Sequence, residues 1–276
     1  RDAAWKGFWI DAASALRMSE SSIIVLDPLN DSAIEHGIQN GTKDFIGGNC
    51  TVSLMLMAVG VLFQEGLVEW ATSMTYQAIS GAGAKAMQTL VAQMQGITQD
   101  LSPAHAALEL EHTLRTRQAH PGLPTDGIGA TLAGSLLPWI DSAMENGQTR
   151  EEYKAAAEAN KILQTKIQVP IDGTCVRVGS LRAHAQALTL RLTQDIPLKD
   201  IEAKLKSQHN WLRWVPNNKD NTFNELTPVS VAGSLDIAVG RVRKLAMGPQ
   251  YLNVFTVGDQ LLWGAAEPLR RMLSFL

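Results

Sequence analysis

At 276 residues, with 45% hydrophobic and 18% charged side chains, the chain is long enough for one large or two modest domains that each bury a core. A net charge of −3 offers no footprint for nucleic acid or a membrane surface, and two cysteines are too few for a disulfide framework. The densest apolar run, Leu54 to Phe63, falls short of the roughly 18 residues of a membrane span, so small-molecule chemistry in the reducing cytoplasm is the expected setting.

Arg1 to Trp9 carries no initiator methionine and leads at once into a strand over Gly7 to Ile10, so the chain is expected to be incomplete at its N-terminus. A turn over Asp11 to Met18 follows, then a buried strand from Ser22 to Leu26 stopped by Asp27-Pro28. Ile34 to Asn40 predicts a short helix and Asp44 to Ile46 another strand. These pieces suggest the end of a parallel-sheet domain.

Gly47-Gly48-Asn49-Cys50 then opens an apolar helix from about Thr51 to Phe63, with Asn49 as N-cap and Cys50 in the first turn. Leu67 to Ile79 reads as a strand in which Val68, Trp70, Thr72, Met74 and Tyr76 alternate with Glu69, Ala71, Ser73, Thr75 and Gln77. Ser80-Gly-Ala-Gly83 breaks it, and Ala84 to Met94 returns to helical periodicity. From Gln95 to Pro138 the pattern predicts loop with one helix near Ala104 to Arg117. Thr149-Arg-Glu-Glu152 is a capping box that starts a helix to about Leu163. Strand character marks Ile167 to Pro170, Cys175 to Val178, Ala185 to Leu192 and Ser230 to Leu245, with a helix over Leu198 to Gln208 and a closing helix from Gly258 to Leu276. The expected fold is α/β plus α+β, a Rossmann-like remnant joined to a mixed-sheet domain.

A helix N-terminus favours a thiolate, and two preceding glycines let the backbone approach a ligand, so Cys50 is a candidate nucleophile. A structural cysteine opening a core helix fits the same spacing; Cys175 lacks even that context. His184, on a passage bent at Gly179, is a candidate acid/base group, though a histidine entering an apolar strand is often structural. Arg17 and Arg177 are candidate anion holders, and Glu151 and Lys154 share a helix face that suits a zwitterion and an anion, or form an ordinary ion pair. The turn at Ser80 to Gly83 can bring N–H groups to a cofactor, but no Gly-x-Gly-x-x-Gly occurs and no histidine or cysteine pair has metal-site spacing. No metal is expected.

Seven segments carry a resemblance: Trp9 to Met18, Gly47-Gly-Asn-Cys-Thr-Val-Ser-Leu-Met-Leu56, Thr75-Tyr-Gln-Ala-Ile-Ser-Gly81, Ala133 to Ile140, Asn160 to Leu163, Asp172-Gly-Thr-Cys-Val-Arg-Val-Gly179 and Phe255 to Arg270. In this order the chain resembles bacterial-type aspartate-semialdehyde dehydrogenase almost end to end. The cysteine motif and the Glu151 to Lys154 segment differ from those of N-acetylglutamyl-phosphate reductase and glyceraldehyde-phosphate dehydrogenase, which share the thioester chemistry.

The resemblance implies that Cys50 is the acyl-forming nucleophile, Gln77 positions the reacting groups and His184 is the acid/base. Arg177 and Glu151 would hold the substrate carboxylate and amino group, and Lys154, Arg17 and Asn49 the phosphate. Ser80, Gly81, Gly83 and Gln260 would border NADP. It further implies reversible reduction of L-4-aspartyl phosphate to the 4-semialdehyde, in lysine, methionine and threonine biosynthesis, by a homodimer packed through its sheets. The implied division is residues 1–48 as the remainder of the coenzyme domain, 49–255 as the catalytic and dimerisation domain, and 256–276 as a helix returning to the coenzyme domain. The family's coenzyme segment, with its glycine-rich phosphate loop, lies ahead of the region matched from Gly7. The chain alone is therefore expected to bind coenzyme poorly, and a catalytically incompetent dimerisation fragment is the alternative reading.

Overall fold

A computed structural model describes residues 6–276, so the part of the expected domain 1–48 that falls on residues 1–5 lies outside the described residues. Strands β1 (Trp9–Asp11), β2 (Ser22–Val25) and β3 (Asp44–Gly47) form a parallel three-stranded sheet in the order β1-β3-β2. Helix α1 (Asp27–Gln39) joins β2 to β3. The sequence predicts only its second half, because Asp27-Pro28 stops a strand; here it also starts a helix, since proline is preorganised for the first turn and has no N–H to leave unpaired.

The second sheet is mixed and has eight strands. Helix α2 (Cys50–Gln64) leads into β4 (Val68–Gln77), followed by α3 (Ala84–Thr98) and α4 (Ala107–Gln118). Then come β5 (Leu136–Leu137), α5 (Arg150–Ile162), β6 (Ile171–Asp172), β7 (Cys175–Val178), β8 (His184–Leu192), α6 (Leu198–Ser207) and β9 (Leu212–Trp214). Short helices α7 (Lys219–Glu225) and α8 (Pro228–Val231) precede the long hairpin of β10 (Ile237–Leu245) and β11 (Gly248–Gly258). The sheet order is β5-β7-β4-β8-β11-β10-β9, with β6 also beside β4. This is the mixed α/β architecture expected.

Several boundaries differ from the sequence pattern. Residues 167–170 are loop, and pairing with β4 begins only at Ile171. Ser230 lies in α8, not in a strand, because the Thr227 and Ser230 side chains cap each other's backbone and Pro228 follows Thr227. The closing segment is not one helix: Gly258 ends β11, Leu262–Ala266 is a π-helix and only then does α9 (Glu267–Met272) form. Helix α9 packs against the small sheet, where Met272 joins Val25, Ile34 and Phe45 in one apolar cluster and Arg271 pairs with Asp27.

Helix α2 is the core of the molecule, since every residue except Cys50, Val61 and Gln64 is buried. It lies among α5, α6 and the inner face of the large sheet. Alternation along β4 is real, but the polar set Ala71, Ser73, Thr75 and Gln77 is the buried one, whereas Met74 and Tyr76 are exposed. Val68 escapes this because the register slips between Val68 and Trp70. On the inner face, cross-strand rows change from Ala71-Leu190-Leu252 to Ser73-Leu188-Val254 and then to Thr75-Gln186-Thr256. The sheet becomes polar toward the end that carries Gln77 and His184.

Gly173 lets β6 and β7 both lie beside β4, because a Cβ there would sit 2.1 Å from the Ser73 carbonyl oxygen. Backbone cannot yield to that contact as a side chain could. Gly173→Ala is expected to cost about 3 kcal/mol or more, measured as a fall in the urea midpoint; an unchanged midpoint would contradict this packing.

Candidate active site

Helix α5 presents Glu151, Lys154, Glu158 and Lys161 at spacings of three, seven and ten residues, hence along one face. That face meets the N-terminus of α2. Asn49 caps α2, its Oδ1 accepting from the N–H groups of Thr51 (2.9 Å) and Val52 (3.2 Å), as the sequence predicts. Its Nδ2 donates to both oxygens of Glu151 at 3.0 and 3.1 Å, and its backbone N–H donates to Glu158 Oε2 at 2.6 Å.

A cavity of about 440 Å³ opens over this junction, and its wall includes Cys50, Arg17, Asn49, Gln77, Gly81, Glu151, Lys154 and Arg177. Glu151 is saturated: Oε1 also accepts from Gln77 (3.3 Å) and Oε2 from Lys154 (3.0 Å). Lys154 in turn reaches Asp141 at 3.0 Å. Arg17 is fixed by its Nε to Gly47 O (2.7 Å), Nη1 to Glu158 (3.2 Å) and Nη2 to Ala12 O (3.1 Å). Two guanidinium N–H groups are left for a ligand.

His184 stands behind this wall and is 1% exposed. A Cβ on Gly81 would lie 3.3 Å from its Nε2, so Gly81 is the thin part of the wall. Its Nδ1 accepts the Ala78 N–H at 3.0 Å, which places the proton of the neutral ring on Nε2, a buried atom with no hydrogen-bond partner among the described residues. Burial pushes the imidazole down to about 3, helped by Arg177, so the ring is neutral throughout the physiological range. Gln260 fixes its approach: Oε1 holds the N–H of Ala183, which has a left-handed φ of 70°, and Nε2 donates to Ser80. Gly83 has φ 91° and open space around its α-carbon, ahead of a helix α3 without a side-chain cap. Thus Ser80 and Gln260 are tied to the segment that carries His184, through the Ala183 N–H and each other.

The expected lowering of the Cys50 thiol by the helix end is overturned. Burial pushes it up to about 12 and the Glu151 carboxylate adds to this, outweighing Arg177, the Thr51 N–H and Arg17. Cys50 is therefore a protonated thiol at neutral pH. The π-helix closes the other side, where a Cβ on Gly264 would lie 2.7 Å from Cys50 Cβ. Cys175 is buried on β7 and is also pushed up to about 12 by burial.

Sequence reasoning missed Asp141, Glu158 and Gly264. Glu158 follows Glu151 by seven residues on a helix the capping box had announced, and this was the available signal. Asp141 has no pattern; it adopts a left-handed φ of 73° at the cavity edge.

Because Glu151 raises the thiol, Glu151→Gln is expected to lower the pH midpoint for alkylation of Cys50 by iodoacetamide below the roughly 12 of the parent. A midpoint equal to or above the parent's would refute this charge balance.

A family model described as the semialdehyde dehydrogenase dimerisation domain matches residues 59–263. Aspartate-semialdehyde dehydrogenase from Francisella tularensis shares 52% identity, with a TM-score of 0.96 over 99% of this chain and 76% of that one. Aspartate-semialdehyde dehydrogenase II from Vibrio cholerae, solved with ASA, shares 23% identity and a TM-score of 0.81 over 97% of this chain and 71% of that one, a likeness of fold. The Candida albicans enzyme with NADP shares the fold at 15% identity and a TM-score of 0.62, over 97% of this chain and 70% of that one. With a closely similar solved relative and the family's own dimerisation domain across most of its length, the chain belongs to the aspartate-semialdehyde dehydrogenase family.

Proposed function

We propose that the protein reduces L-4-aspartyl phosphate to L-aspartate 4-semialdehyde through a Cys50 thioester, reversibly, with NADPH. The observation that carries this is the cavity where a thiol at a helix N-terminus faces both carboxylate and guanidinium groups. Arg177, held at 2.8 Å by Ala78 O, receives the substrate carboxylate. The ammonium group goes to Glu151, and since that carboxylate is already saturated, binding displaces a donor. Lys154 is the one to move, because Asp141 still holds it. Lys154 then joins Arg17 and Asn49 around the phosphate.

Cys50 sulfur attacks the acyl carbon, the C–O bond to phosphate breaks, and the thiol proton leaves on the phosphate. Gln77, beside Glu151 and at the end of β4, orients the acyl group. His184 is the acid/base: its Nε2–H donates to the carbonyl oxygen as negative charge gathers there. In the oxidative direction, taking a proton on Nε2 requires Nδ1 to give up the Ala78 N–H.

The coenzyme fits the region of Ser80, Gly81, Gly83 and Gln260, where a buried His184 Nε2 with no hydrogen-bond partner among the described residues lies directly beneath a glycine. Those residues would hold its nicotinamide end; when bound, NADPH would supply the hydride that reduces the thioester, the C–S bond breaking to release the aldehyde while the Cys50 sulfur takes back a proton from solvent.

The reading extends to a homodimer. Trp70, Met74, Tyr76, Tyr251 and Phe255 share the outer face of β4 and β11, with Tyr76 stacked on Phe255 at 6.3 Å and Trp70 near Tyr251 at 6.1 Å. An open aromatic face of this kind suits a second copy of the same sheet.

Incubation with L-4-aspartyl phosphate alone is expected to release phosphate and leave an aspartyl adduct on Cys50 by peptide mass spectrometry, and Cys50→Ser to lose at least ~10³-fold in that rate. No adduct, or an adduct on Cys175, would reject the mechanism. Met74→Asp is expected to turn a dimer into a monomer in analytical ultracentrifugation, and an unaltered dimer would move the interface elsewhere.

A further inference from the structure

Glu158 takes no part in the cavity wall, yet it is 2% exposed and ionisable, on the helix that carries Glu151 and Lys154. Its two oxygens serve different structures: Oε1 faces Arg17 Nη1 at 3.2 Å, and Oε2 accepts the backbone N–H of Asn49 at 2.6 Å. Arg17 reaches the cavity from the small sheet's side of the molecule, beside Gly47, while Asn49 is the cap of the helix that begins with Cys50. A buried carboxylate needs both partners, because either alone leaves an oxygen unpaired in a dry place. The other contacts of the Arg17 guanidinium are to backbone carbonyls, so among the described residues Glu158 is its carboxylate partner.

We propose that Glu158 is a positioning residue for anion binding: it aims the Arg17 guanidinium at the phosphate and ties that arm to the α2 N-terminus, so that phosphate and thiol are held in one register. The proposal rests on the reading of Arg17 as a phosphate ligand. Glu158 touches no substrate and acts only through Arg17 and Asn49.

The test is protection of Cys50 from iodoacetamide by inorganic phosphate, which requires neither coenzyme nor turnover. Glu158→Gln leaves one amide oxygen for two donors and removes the counter-charge. It is expected to raise the phosphate midpoint by about tenfold or more, each midpoint being referred to that variant's own alkylation rate without phosphate. Glu158→Asp keeps the charge but draws it back by one methylene, and gives a smaller rise, including where the Gln variant does not fold. A merely structural role would lower the urea midpoint and leave the phosphate midpoint of the folded variant alone; that result overturns the proposal while Cys50 acylation still stands. A parent that phosphate fails to protect would also overturn it, by removing Arg17 as the anion arm, whereas the function itself stands or falls separately on acylation of Cys50 by the acyl phosphate.

Discussion

A helix buried on all sides must begin somewhere without water, and the site is built around how α2 meets that requirement. The first N–H groups of a helix have no partner within it, and leaving them dry is costly. Asn49 supplies one side-chain oxygen to two of them, and is itself held by Glu151 through its amide and by Glu158 through its backbone. The capping network therefore brings two carboxylates and their cations, Lys154 and Arg17, next to Cys50. Satisfying a helix end and assembling a charged pocket are one arrangement here.

The same economy governs the large sheet. Its inner face is apolar where α2 covers it and polar where α2 ends, so Ser73, Gln186 and Thr51 are linked by hydrogen bonds that cross from strand to helix. Its outer face carries the aromatic residues instead. The strand β4 thus buries its polar side and leaves Met74 and Tyr76 open, within the region that matches the family's dimerisation domain.

Local chemistry explains what was legible in the sequence. Asn49 before an apolar run and Thr149 three residues ahead of Glu152 are self-contained signals, and both form the caps expected of them. Gly81 and Gly264 matter through close approaches to residues far along the chain, which no local pattern records. The thiol shows the same limit. Helix position argued for a lowered value, but burial and Glu151, a residue about one hundred positions away, reverse the sign. The strand β11 and the start of α1 were obscured for another reason: proline and glycine punctuate a sequence without saying whether an element ends or begins.

The π-helix behind Cys50 ties the site to residues from the far end of the chain. Trp263, its buried side chain, sits edge-on to Trp211 at 4.8 Å, Arg271 lies 4.7 Å over Trp211, and the same arginine pairs with Asp27. Contacts between residues so far apart in sequence carry a large loop-closure cost, so this wall exists only where the rest of the fold brings its ends together. A native chain that transiently frees only its final two turns would keep most of its core and its secondary structure. It would nonetheless lose the wall against which the thiol is aligned, so that inactivation would run well ahead of unfolding.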